Sequence, residues 1–398
     1  MLEIWEKSAF LTILSINFLK SNLMARIILL STGHPPKDDR IFHKFAKFLA
    51  NADHEVTIIT STAEIKSFED GIEFNCFFEP GVNFWQKLRR INYNLPLCNP
   101  EMVICSEPFA LFSAFVFKLK KNKKLKLLLD VTEWYPENVA NKKRGLNKYA
   151  TYFLLYFLNL LVSNLANGII IGEELKKKRY DLIAPFRKKE VISYYPPLSL
   201  FNVSSVVRSE NIFTICFAGL LTSDRGFERV LQVAEKLSLR NPDVKIRLKL
   251  IGKFIDKGME ELYRNASKRT GIELVNWVSY EKLPEELAEA DICVDLREIN
   301  FIYDNSLPIK IFEYLACGKP VVYSRLKSLK NLFSEIDFGY LVNPYEEGET
   351  IKIIERYIND KELLRFHSQN GRQLAEIKYN WEIEGRRLVL FIEKFFNA

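Results

Sequence analysis

In the stretch DNSLPIKIFEYLACGKPVV, residues 304–322, a lysine (Lys310) and a glutamate (Glu313) sit three apart inside an apolar segment that follows a proline. Pro308 suits the first turn of a helix. A spacing of three then puts Lys310 and Glu313 on one face and leaves Ile311, Phe312 and Leu315 for a core. A cation near a helix N-terminus can hold a phosphate, and a carboxylate one turn further in can accept two hydroxyls of a ribose. The same spacing also fits an ordinary surface ion pair, and chemistry alone leaves both readings open. A second cluster, FAGLLTSDRGFERVLQVAEKL (217–237), reads as strand, turn and helix. Gly219 ends the strand, Gly226 opens the helix, and Arg225 at its mouth is a cation suited to a diphosphate. It has no G-x-G-x-x-G spacing, so a plain strand-to-helix turn accounts for it equally well.

The elements that must position these groups alternate along the chain. ARIILLS is followed by a helix from about Arg40 to Asn51 and then HEVTIIT; MVIC, a helix and KLKLLLD follow, then GIII, a helix and EVISYY. Short, continuously apolar strands separated by helices predict a parallel sheet covered on both faces. YYPPLSLFNVSSVVRSEN (194–211), with its prolines and serines, interrupts the rhythm and marks a linker at residues 198–210. The rhythm restarts with IFTICFAG, KIRLKLIG, IELVNWV, DICVDL and PVVYS, and a helical region runs from about Glu346 to the end. The expectation is an α/β protein with two Rossmann-like domains, 24–197 and 211–379, and ligands at the strand C-termini.

Composition bounds the function classes. The chain has 398 residues, 48% hydrophobic and 27% charged, which is globular. Six cysteines without C-x-x-C spacing read as reduced thiols of a cytoplasmic protein, and four histidines do not suggest a His-rich metal site. Residues 1–200 hold 28 Lys and Arg against 20 Asp and Glu, whereas residues 201–398 hold 29 against 30. The surplus includes KLKKNKKLK (118–126), NKKR (141–144), KKKR (176–179) and RKK (187–189). It suits an anionic membrane or a solvated basic surface; no recognised module points to nucleic acid. Tyr149 to Gly172 carries no charge, but its apolar core YATYFLLYFLNLLV is too short to span a bilayer. That helix is apolar on every side, so it is either deeply buried or pressed against lipid. Residues 1–23 make a poor signal peptide and read as an N-terminal extension ahead of MARIILLSTG, or as a short membrane-surface anchor. His43 and His54 are expected as surface or capping residues. Trp85 and Trp381 are expected in cores, while Trp134 and Tyr135 adjoin a motif described next.

Four segments together resemble a family 4 glycosyltransferase of the GT-B fold, of the bacterial surface-polysaccharide type. They are GHPPKDDRIFHKFAKFLANADHEVTIIT (33–60), LDVTEWYPENV (129–139), ISYYPPLSLF (192–201) and DNSLPIKIFEYLACGKPVV (304–322). The resemblance implies two domains facing across a cleft, with the C-terminal helix, 380–398, crossing back to the first. It implies a metal-independent, retaining transferase without a cofactor, using a nucleotide-diphosphate sugar of UDP or GDP type as co-substrate. The basic first half beside YATYFLLYFLNLLV suits docking on an anionic inner face of the cell membrane, which points to a lipid-linked saccharide or oligosaccharide acceptor. Glu313 matches the family's ribose-binding glutamate, Arg225 the usual lysine on the donor diphosphate, and Lys310 lies beside the same phosphates. Gly33, Gly219, Gly226, Gly252, Trp277, Val278, Asn305, Ser306 and Leu307 fall in donor-binding segments. His34, Asp39, Arg40, Thr132 and Glu133 fall on the acceptor and sugar side.

Three positions depart from the pattern. Asn305 stands where a glutamate is usual, Leu220 where an arginine often follows the glycine, and Thr132 where a histidine is expected. Glu133 and His34 are then the polar groups left near an acceptor hydroxyl. No D-x-D motif occurs, so no metal is expected. Two other readings share these residues: a nucleotide-sugar 2-epimerase of the same fold, and a degenerate, non-catalytic partner subunit of a membrane-bound transferase.

Overall fold

The computed structural model describes residues 24–78, 81, 83–202, 211–268 and 271–396. The expectations for residues 1–23 and for most of the 198–210 linker lie outside these. The chain divides into two compact units: residues up to Tyr194 together with those from Glu384 onward, and Tyr195–Ile383.

The first unit is built on an eight-stranded sheet of β1 (Arg26–Ser31), β2 (Glu55–Thr60), β3 (Thr62–Glu69), β4 (Ile72–Phe78), β5 (Met102–Cys105), β6 (Lys126–Val131), β7 (Gly168–Ile171) and β8 (Lys188–Val191). Their order is β3-β4-β2-β1-β5-β6-β7-β8. Pairing is parallel except between β3 and β4. The central strands are almost wholly buried along their length, as sheets covered on both faces require. The β3–β4 hairpin was not foreseen. It turns through Asp70 and Gly71, both at positive φ, a two-residue corner whose hand matches the strand twist. The chain winds one way from β1 through β2 and the other way from β5 onward. The gap beyond the C-terminal ends of β1 and β5 is therefore this sheet's topological switch point.

The second unit repeats the plan with β9 (Ile212–Leu221), β10 (Lys245–Phe254), β11 (Gly271–Val275), β12 (Ile292–Asp295), β13 (Val321–Ser324) and β14 (Gly339–Val342). The order is β11-β10-β9-β12-β13-β14, all parallel. Its switch point lies between β9 and β12. Helices at Phe227–Arg240 and Ile309–Ala316 follow the strands that border it.

The helix Leu146–Ser163 has an inverted pattern. Its buried side chains are Asn159 and Ser163, whereas Tyr149, Phe153, Leu154, Phe157, Leu158 and Leu161 are exposed. The Asn159 amide donates to the Tyr180 hydroxyl at 3.2 Å, and Ser163 Oγ donates to Asn159 Oδ1 at 3.1 Å. Among the described residues no helix is long and apolar enough to cross a membrane.

Some expectations need correction. His43 and His54 are buried rather than superficial, and His54 Nδ1 accepts the Ala25 N–H at 3.3 Å. Trp381 is buried, but Trp85 is 71% exposed. The basic run 176–179 is not a free cationic surface. Lys176 pairs with Glu173 and Lys177 with Asp181, each at 2.8 Å, and Arg179 grips Glu137 with two nitrogens. The last helix, Trp381–Glu393, begins in the second unit and ends in the first. There a Cβ on Gly385 would come within 2.7 Å of the Phe48 ring, and Phe391 and Phe395 pack on Gly168 of β7.

Candidate active site

At the switch point of the first sheet, Ser31 closes β1 and Glu107 follows β5, just before a helix that opens at Pro108. The Glu107 carboxylate organises the whole loop after β1. Its Oε1 accepts from Ser31 Oγ at 2.6 Å and from the Gly33 N–H at 3.1 Å, and lies 3.0 Å from His34 Nδ1; its Oε2 accepts the Thr32 N–H at 3.0 Å. The His34 N–H in turn donates to Ser31 Oγ at 3.1 Å. Burial opposes both charges here, but the mutual hydrogen bonds outweigh it. The His34 pKa ends above its ordinary value and the Glu107 pKa below. With Nδ1 donating to the carboxylate, Nε2 is left as the proton-accepting nitrogen.

This geometry changes several sequence expectations. The Gly33 N–H, expected near donor phosphates, is already engaged by a carboxylate. Arg40, expected on the acceptor side, is buried, with Nε 2.9 Å from Asp130 Oδ2. The Tyr194 hydroxyl donates to the other Asp130 oxygen at 2.6 Å. Burial alone would lower the Arg40 pKa and the Asp130 charge raises it; burial lifts the Asp130 pKa above its ordinary value, and Arg40 and the Tyr194 hydrogen bond pull it back down. Asp39 lies 3.2 Å from Lys44, whose ammonium is wholly buried. Thr132 and Glu133 sit on the segment after β6. Lys176 donates to the Thr132 carbonyl, Asn138 to the Glu133 carboxylate, and Arg179 covers the Trp134 ring at 4.6 Å. Glu107, Asp130, Lys176 and Arg179 were not among the sequence candidates.

At the switch point of the second sheet, the turn after β9 is fixed from both sides. The Phe227 N–H donates to the Thr222 carbonyl at 3.2 Å, and the Glu298 N–H beyond β12 donates to the Asp224 carbonyl at 2.9 Å. Tyr303 donates to the Asp224 carboxylate. Gly226 adopts φ 81°, and a Cβ there would collide with the Leu296 carbonyl, so only glycine lets the two loops close. Gly252 pairs in register with Gly219, and a Cβ on it would strike the Gly219 carbonyl; this glycine is needed for strand packing.

Gly219 is where the candidates meet. Arg225 Nη1 lies 3.7 Å from the place a Gly219 Cβ would take. The next residue back, Ala218, donates its N–H to the Tyr314 hydroxyl at 3.2 Å, which brings the helix Ile309–Ala316 to the same strand end. On that helix Lys310 Nζ lies 2.8 Å from Glu313 Oε2. The pair is not a solvated surface contact, because Glu313 is 1% exposed. Pro308 is the helix N-cap rather than its first turn. Among the described residues Arg225 has no carboxylate within ion-pair distance. Around this group the Asn305 amide donates to the Phe301 carbonyl at 2.7 Å, the Ser306 carbonyl accepts from Ser328, and Leu307 packs on the core. Trp277 is exposed beneath the Lys253 ammonium, and Val278 is half-buried. Arg297 is buried against Asp295 between the Tyr303 and Tyr323 rings, closing the floor beyond β12.

Comparison with known proteins bears on the fold. Residues 200–374 match the sequence model of the family described as glycosyl transferases group 1. A glycosyltransferase of Haemophilus influenzae is 26% identical over 204 residues, covering 48% of this chain and 52% of its own. The chain spans about half the length of the curated relatives it matches. Among solved structures, sucrose-phosphate synthase from Thermosynechococcus elongatus superposes with a TM-score of 0.72 at 14% identity, over 94% of this chain and 100% of that one. HepE of Anabaena, in complex with UDP-glucose, gives 0.68 at 13% identity, over 92% and 99%. The fold is GT-B.

Proposed function

We propose that this chain is a retaining, metal-independent glycosyltransferase. It moves a sugar from a nucleotide-diphosphate sugar to a lipid-linked saccharide during cell-surface polysaccharide assembly. The observation that carries the reading is the convergence on Gly219 of Arg225 and of the helix bearing Lys310 and the buried Glu313. Support comes also from the group 1 match over this unit and from a fold neighbour whose structure holds UDP-glucose.

In this reading Glu313 receives the ribose hydroxyls. Its carboxylate is rigid because it is buried and tethered to Lys310. Arg225 and Lys310 face the diphosphate. As the bond from the anomeric carbon to the diphosphate breaks, negative charge grows on the leaving oxygen. Cations held in place before the reaction stabilise that charge more in the transition state than in the ground state, which is what raises the rate. The acceptor oxygen forms the new bond to the anomeric carbon on the same face, and its proton passes to the leaving phosphate oxygen. The protein then needs no nucleophile of its own.

Glu313→Ala and Lys310→Ala are expected to abolish transfer and donor hydrolysis while the fold persists. The nucleotide that raises the melting temperature of the wild type, UDP or GDP, should no longer raise that of Glu313→Ala. Undiminished turnover in both variants would sink the site assignment. Turnover that Glu313→Ala abolishes excludes a non-catalytic subunit.

A further inference from the structure

We infer that the helix Leu146–Ser163 is a docking face for an anionic lipid surface. The inference deepens the lipid-linked acceptor of the proposed function but rests on separate observations. A helix on a soluble protein turns its apolar stripe inward. This one fully buries Asn159 and Ser163, each hydrogen-bonded within the unit, packs Tyr156, Leu160 and Val162 partly buried against the core, and turns Phe153, Leu154, Phe157, Leu158 and Leu161 outward. Phe153 is 68% exposed, Leu154 60% and Phe157 57%. They recur at helical spacing and form one continuous exposed face, larger than the scattered apolar residues of an ordinary surface.

Charge identifies the occupant. No Asp or Glu occurs from Asn138 to Gly172, while Lys142, Lys143, Arg144 and Lys148 gather at the start of the helix. All four are exposed. An apolar face with four exposed cations at its start and Tyr149 near that end, the nearby Glu137 being neutralised by Arg179, is complementary to acyl chains beneath anionic headgroups. At 18 residues the helix is about 27 Å long, and its inner face is fixed by Asn159 to Tyr180. It therefore lies along the surface rather than crossing it.

The test is co-sedimentation of the full-length chain with vesicles of phosphatidylcholine, alone and mixed with phosphatidylglycerol, at low and at raised salt. Wild type should pellet with the mixed vesicles, less with the neutral ones, and less again as salt rises. Phe153→Glu with Phe157→Glu should remove pelleting on both. Lys142→Gln, Lys143→Gln and Arg144→Gln together should remove only the anionic preference, about a hundredfold in affinity for three charges. All forms share the same first 23 residues, so a difference in pelleting between forms reports the helix. The substituted side chains are exposed, so melting temperatures should stay at the wild-type value. The nucleotide-induced rise in melting temperature, read on the same samples, reports the donor site independently. Equal pelleting of wild type on neutral and anionic vesicles would overturn the inference, as would wild-type pelleting by the double glutamate variant. A dimer by light scattering that the glutamates convert to monomer would assign the face to a second copy and overturn it too.

Discussion

The two units use one architecture to build switch points of opposite character. Beyond β1 and β5, the charges are matched internally: Glu107 holds the loop amides, Ser31 and His34, and nearby Asp130 holds Arg40 and Tyr194. Beyond β9 and β12, Arg297 is held by Asp295 and Lys310 by Glu313, but Arg225 faces the strand end with no carboxylate within ion-pair distance among the described residues. A loop whose amides already grip a carboxylate repels a phosphate and suits a neutral hydroxyl. A loop that offers a cation over glycine suits a diphosphate. Duplicating a fold therefore does not duplicate a site; the sign of the charge at the strand ends sets the two apart, and in the proposed reaction it would decide which reactant each unit suits.

The strongest way to break this comparison is to remove a charge from the first unit. Asp130→Ala leaves Arg40 buried without its carboxylate and should cost ~3–5 kcal/mol in urea unfolding. A loss below about 1 kcal/mol would mean that Arg40 is not internally matched, and the contrast would fail. Next comes Arg225→Ala, which should leave stability nearly unchanged but lower kcat by about a hundred- to a thousandfold. If it instead unfolded the protein, Arg225 would be structural like Arg40. The smallest effect sharpens the picture at His34. Its raised pKa means that its contribution is complete below the ordinary 6.5 and fades as pH climbs through the folded value. The lowered Glu107 pKa means that its contribution is complete above the ordinary 4.5 and fades as pH falls through the folded value. Glu107→Gln should thus lower the unfolding free energy most between the ordinary values of 4.5 and 6.5, by an amount on the order of 1 kcal/mol, with the gap narrowing above the window. A gap independent of pH would show a neutral hydrogen bond instead.

Much of the fold was legible because buried parallel strands write themselves as short apolar runs, and ARIILLS, GIII and PVVYS could hardly be anything else. The β3–β4 hairpin was also legible in principle, since Asp70–Gly71 separates two strand-like segments, but it carried no chemistry and was passed over. Glu107 was not legible. It lies 73 residues from His34, and only the strand order that sets β5 beside β1 makes them neighbours. Arg40 read as a loop cation because its partner Asp130 lies across the sheet. Lys310 and Glu313 could be paired on spacing, yet spacing could not tell a wet pair from one whose carboxylate is buried. For the helix Leu146–Ser163, an apolar surface on every side gave no inward direction. Asn159 and Ser163, read as interruptions, belong to the face that packs, together with Tyr156, Leu160 and Val162.

The crossing of the last helix has a consequence for how the molecule is made. The second unit is one continuous segment, complete as soon as Ile383 has left the ribosome. The first unit is not complete then, because β7 still lacks Phe391 and Phe395, which pack on Gly168. Domains generally fold as units during synthesis, so the half that is translated first is the half that is finished last. A nonsense codon just after Ile383 would strike the unit that was translated first and spare the one translated last.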